Sequence, residues 1–118
     1  MTTEAKCKDI IADVWKIRKK DLTKISKVPI TESNYNGQYN KLMEYALSFD
    51  YVEAKTFHDQ PEGYHRYQMS WGGPQDEIRF YDEGGIYFAY LDWYDGAEIP
   101  INQEPITKWL IKMFDLYE

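Results

Sequence analysis

The chain has 118 residues, of which 43% are hydrophobic and 17% aromatic, and it carries a formal net charge of −6. That length supports one hydrophobic core burying roughly two thirds of the unfolded surface, so residues 1–118 read as a single domain, and the apolar and aromatic content excludes a disordered chain. Lone Cys7 excludes an internal disulfide, the first thirty residues hold no apolar leader segment, the longest uninterrupted apolar stretch is Ile86 to Leu91, and Thr2 rather than glycine follows Met1. A soluble protein of a reducing, cytoplasmic compartment, without membrane contact, is therefore expected.

From about Thr3 to Arg18, Cys7, Ile10, Ile11, Val14 and Ile17 recur at helical spacing with charged residues between them, which predicts an amphipathic helix. Leu22 and Ile25 extend the same stripe, and Pro29 forbids continuation past Val28. After a loop rich in Ser, Asn and Gly, the residues Tyr39, Leu42, Met43, Ala46 and Leu47 repeat the pattern, predicting a second helix that ends near Asp50. The period then becomes two. Strands are predicted at Tyr51–Phe57, at Tyr64–Trp71 with Tyr67, Met69 and Trp71 inward, at Glu77–Tyr81 with Ile78 and Phe80 inward, and at Ile86–Trp93, which is apolar on both faces. Asp82-Glu83-Gly84-Gly85 is a hairpin signal, because glycine accepts the positive φ of a tight turn. Asp95-Gly96 turns the chain once more, Asn102 can cap a last helix with Pro105 in its first turn, and Ile106, Trp109, Leu110, Met113, Leu116 and Tyr117 form its stripe. The predicted architecture is α+β: two N-terminal helices, a four-stranded antiparallel meander and a C-terminal helix packed on the sheet, in the order ααββββα.

Motifs for chemistry are sparse. His58 and His65 bracket Asp59 and Glu62 across a predicted turn and are the only local cluster that could hold a metal or act catalytically, but the spacing matches no established ligand signature. Tight zinc binding is not expected, and no cofactor is implied. Carboxylate pairs fall in turns, where solvation keeps acids ordinary. Cys7 sits in an apolar stripe, no serine stands in a nucleophile elbow, and no glycine pair lies between a strand and a helix with the lysine a phosphate loop requires. The basic run Lys16, Arg18, Lys19, Lys20, Lys24 and Lys27 could touch phosphates, but in an acidic chain it reads better as a solvated helix face, and nucleic acid is not the expected partner.

Charge is unevenly placed. Residues 1–50 carry 9 basic and 7 acidic side chains, residues 51–118 carry 5 and 13, and from Asp76 to Glu98 seven carboxylates face the single cation Arg79. Around them stand Tyr81, Tyr87, Tyr90, Trp93 and Tyr94. Aromatic residues dominate interface hot spots while carboxylates steer a basic partner, so Asp82, Glu83, Tyr87, Asp92, Trp93, Tyr94 and Asp95 are the expected partner-binding set. The functional expectation is a small acidic intracellular binding protein that occludes a basic site on a protein partner, by analogy of size and charge with inhibitors, toxin-immunity proteins and phage-encoded antagonists. A small enzyme or ligand-binding domain using the His58 to His65 hairpin is the alternative, distinguished by whether a cavity converges on those histidines.

Overall fold

A computed structural model describes residues 6–27, 31, 33–92 and 95–117. The elements are α1 (Cys7–Ser26), α2 (Tyr35–Tyr45), β1 (Ser48–Val52), β2 (Tyr64–Ser70), β3 (Gln75–Tyr81), β4 (Ile86–Asp92), β5 (Asp95–Pro100) and α3 (Pro105–Phe114). The strands form one antiparallel sheet in the order β1-β2-β3-β4-β5. The α+β class holds, and the four-stranded meander is corrected to five strands, ααβββββα. The missed strand is β5, in which Gly96 and Pro100 are poor strand formers; its Ala97 and Ile99 pack against the core, with Ile99 opposite Phe88 of β4. The first strand also moves, from Tyr51–Phe57 to Ser48–Val52. Ala46 and Leu47 fit a helical stripe, but Phe49 stacks on Phe114 of α3 at 4.1 Å, and that long-range contact outweighs local helix preference.

Period-two alternation sends Tyr67, Ile78, Phe80, Phe88 and Tyr90 to the face that the helices cover, where they pack with Ile11, Trp15 and Leu22 of α1, Leu42 of α2, and Ile106, Leu110 and Met113 of α3. Full burial of such a side chain stabilises by about 1.5–3 kcal/mol. The expected α1 stripe is rotated: Trp15 is 5% exposed against Phe88, whereas Ile17 is 62% exposed. The inward line runs Cys7, Ile11, Trp15, Arg18, Leu22, and the half-buried Arg18 is tolerated in it because Asp76, 1% exposed on β3, receives its guanidinium through two hydrogen bonds of 2.6 and 3.1 Å. Burial works to lower the Arg18 pKa, but the bonds to Asp76 and Tyr45 raise it overall, so the pair stays charged.

At the start of α1 the Cys7 amide donates to Asp95 Oδ2 at 2.7 Å, so a β5 carboxylate satisfies one of the orphan N–H groups of the helix. That bond holds the Asp95 pKa below its ordinary value. Cys7 itself is buried, and desolvation followed by Asp95 pushes its thiol up, the opposite of a reactive nucleophile. Asn102 does not cap α3, whose N-cap is Glu104; its side chain instead accepts from the Ile86 amide at 3.0 Å and donates to the Gly84 carbonyl at 2.9 Å. Trp71 lies past a register shift between Gln68 and Ser70 and is 71% exposed, not inward with Tyr67 and Met69. No helix among the described residues is long and apolar enough to cross a membrane.

Candidate functional site

The other face of the sheet has no helix over it. Alternation places Arg66 and Gln68 of β2, Glu77, Arg79 and Tyr81 of β3, Tyr87 and Leu91 of β4, and Glu98 of β5 on this side. Such a row would ordinarily be solvated, yet Glu77 is 0% exposed. Its carboxylate accepts from Arg79 Nε at 2.7 Å and Gln75 Nε2 at 2.8 Å, while Arg79 Nη1 and the Tyr81 hydroxyl reach Glu98 at 3.5 and 3.2 Å. The Arg79 guanidinium lies 5.0 Å over the Tyr64 ring. Burial is the largest single influence on Arg79 and works to lower its pKa, but the charge and hydrogen bond of Glu77, with Tyr64 and Tyr81, together raise it, so Arg79 stays protonated; desolvation holds the Tyr64 phenol up at about 12.

Residues 53–63, between β1 and β2, fold onto this face around the buried Gln60. The Gln60 amide nitrogen donates to the carbonyls of Glu53 at 2.9 Å and Glu62 at 3.0 Å, and its oxygen accepts from the Phe57 amide at 3.0 Å. Three backbone groups thus converge on one side chain, which sets the loop's shape although Lys55 and Asp59 take positive φ. The loop is tied to the β3–β4 turn as well: the Asp82 amide donates to the Gly63 carbonyl at 3.0 Å, and Tyr51 donates to Asp82 at 2.5 Å. A Cβ on Gly63 would sit 2.1 Å from the Tyr51 hydroxyl, so this close approach requires glycine. In the turn itself Gly84 holds φ +103°, as the hairpin signal implied.

Between loop and sheet lies a cleft of about 540 Å³. Phe57, Tyr81 and Tyr87 supply aromatic walls, and Asp59, Glu62 and Glu98 supply carboxylates. The cation in the lining, Arg79, is already matched by Glu77 and Glu98. Glu62 Oε2 is buried with no hydrogen-bond partner among the described residues. A carboxylate oxygen that has given up water without gaining a donor is costly.

The five described residues of the expected partner-binding set do not form one patch. Tyr87 lines the cleft, and Asp82 and Glu83 occupy the turn beside its loop. Asp92 and Asp95 lie at the opposite end of β4, on the order of 20 Å away at 3.3 Å per strand residue. Trp93 and Tyr94 lie outside the described residues. Of the seven carboxylates between Asp76 and Glu98, Asp76 is paired with Arg18, Glu77 and Glu98 with Arg79, and Asp95 with the α1 terminus, so the linear charge count overstates the free acid.

Nor do the two histidines meet. His58 sits in the cleft's rim with a 96% exposed side chain, 3.3 Å from Asp59. His65 points to the helix-covered face, against Phe49 and Tyr51 at ring distances of 5.8 and 4.9 Å. Among the described residues no group of three or more His, Cys, Asp or Glu is placed to hold a metal. Phe57, Gln60 and Tyr64 were not among the candidate residues, and Tyr81 and Glu98 were counted in the acidic, aromatic segment but left out of the partner-binding set; the alternation Glu77-Arg79-Tyr81 was the available signal for a polar face worth covering. No protein-family model matches the chain, and neither a curated protein nor a solved structure matches it significantly.

Proposed function

We propose that the protein binds a basic protein partner and occludes its basic site, as small intracellular inhibitors and immunity proteins do, with a lysine or arginine of the partner entering the cleft between the 53–63 loop and the outer face of β3–β5. The observation that carries this reading is Glu62, which lines an aromatic cleft whose only arginine is already neutralised and whose Oε2 is buried with no hydrogen-bond partner among the described residues. An inserted cation would satisfy Glu62 with a charge-assisted bond and lie against the faces of Tyr81 and Tyr87, each contact of the cation–π type contributing about 0.5–2 kcal/mol. Exposed Tyr51 and Phe57, with Asp82 and Glu83, would surround that anchor as an acidic, aromatic rim.

Short peptides carrying one central arginine, lysine or norleucine between alanines provide the test, followed by NMR of the tyrosine side chains. The cationic peptides should shift Tyr81 and Tyr87, norleucine should not, and Glu62→Gln should weaken the cationic peptides about tenfold, the size expected for losing one charged hydrogen bond. Equal shifts from norleucine, or indifference to Glu62→Gln, would remove the cleft from consideration.

A further inference from the structure

The lysines of α1 form a second charged surface, on the helix layer and so across the sheet from the cleft. With Arg18 turned inward to Asp76, the remaining cations Lys16, Lys19, Lys20, Lys24 and Lys27 line a groove of about 550 Å³ between α1 and the first turn of α3, where Pro105 and Ile106 complete it. Among the described residues only Lys19 has a carboxylate at ion-pair distance, Glu104 at 3.4 Å. Lys16, Lys20, Lys24 and Lys27 advance by four, four and three residues, which puts them in one row about 16 Å long at 1.5 Å per residue. Like charges at that spacing repel one another and weaken the helix. In a chain of net charge −6 they are not needed for solubility, and they concentrate positive potential in one concavity.

We propose that this groove docks an acidic amphipathic helix from a partner protein. The row's length equals about three helical turns. Lysine stems together with exposed Pro105, over the largely buried Ile106, offer an apolar floor while the ammonium groups form the rim, so a helix with carboxylates on its flanks and apolar residues at i, i+3 and i+4 meets both. A nucleic-acid strand fits less well: among the described residues no aromatic lines the groove to stack a base, and the acidic remainder of the protein repels a polyanion that extends past the groove. This inference does not depend on the reading of the cleft.

The experiment uses the full chain and a fluorescein-labelled synthetic helix of about three turns with glutamates flanking a leucine stripe, read by anisotropy beside an oligothymidylate of equal charge. Binding of the peptide should weaken at least tenfold in Lys16→Glu/Lys20→Glu/Lys24→Glu, survive in the matching arginine variant, and weaken when the leucines become alanine. Because the three lysines are exposed, the glutamate variant should melt no lower than the parent, which separates lost docking from lost fold. The proposal is overturned if charge reversal leaves peptide affinity unchanged, if the oligothymidylate binds more tightly than the peptide, or if sedimentation shows a dimer that the glutamate variant dissolves, which would make a second copy the occupant.

Discussion

The two faces of the sheet are buried by different physics. On the helix side, Phe80, Phe88, Leu110 and Met113 are sealed by apolar area contributed from three helices. On the open side, Glu77 reaches the same 0% exposure within a polar network of Arg79 and Gln75, which Tyr81 and Glu98 continue, and a loop pinned by one glutamine folds onto the same face. Area-driven burial is non-directional and tolerates change that conserves volume. Burial by charge partners depends on every member being satisfied, and a surface loop over such a network belongs to the part of a fold that opens most easily. Binding chemistry is therefore proposed for the open side, where a carboxylate oxygen, that of Glu62, has no donor among the described residues.

Breaking the helix-covered face should have the largest effect. Leu110→Ala, at a fully buried position, should lower the unfolding free energy by about 2–5 kcal/mol in chemical denaturation, through lost transfer energy plus a cavity. A smaller loss would show that α3 can settle into the space.

Next comes the charged pair inside that apolar face. Arg18→Ala strands Asp76, and a loss of about 3 kcal/mol is expected, at the low end for breaking a buried pair because the Arg18 side chain is 24% exposed. Replacing both partners, as Arg18→Met/Asp76→Leu, should recover most of it. If the double variant is no better than the single, the pair is specifying how α1 seats on β3 and not merely avoiding an unpaired charge.

On the open face, Gln60→Ala removes three hydrogen bonds and should cost about 2 kcal/mol globally, the low end of their summed net worth, because the released backbone groups belong to an exposed loop and can turn to water. Its local effect should be larger: faster hydrogen exchange at the Phe57 amide, which donates to Gln60, and loss of the cationic-peptide shifts at Tyr81 and Tyr87. Unchanged exchange there would mean that the loop is held by something other than Gln60.

The smallest effect is an alkaline one that compares the faces directly. Burial raises the pKa of Tyr64 on the open face to about 12 and raises that of Tyr67 on the covered face as well. The folded state therefore keeps protons that the unfolded chain releases near pH 10, so stability from these groups is complete below pH 10 and falls as pH rises towards about 12. Tyr64→Phe should make the fall shallower, as seen in melting temperature against pH. A fall of the same slope would place its origin in the other tyrosines that burial raises, Tyr67, Tyr81 and Tyr117.

Much of the local structure was legible from the chain alone. The periods of α1, α2 and α3, the alternation of β2 to β4, the Asp82–Gly85 hairpin, Pro105 at the start of α3 and the burial of Cys7 in an apolar stripe all follow from short-range rules: side-chain spacing, φ preference and missing donors. The candidate site was not legible in that way. Which end of β4 each acid occupies, the inward turn of Arg18 that leaves five lysines in one groove, the fold of residues 53–63 around Gln60, and the partner of each carboxylate between Asp76 and Glu98 are set by contacts between residues distant in sequence. Composition and spacing determined that this chain carries acid beside aromatics and a run of cations; the sheet register and the helices covering one face decided which of those charges cancel and which remain to meet a partner, because pairing depends on separation in space and not along the chain.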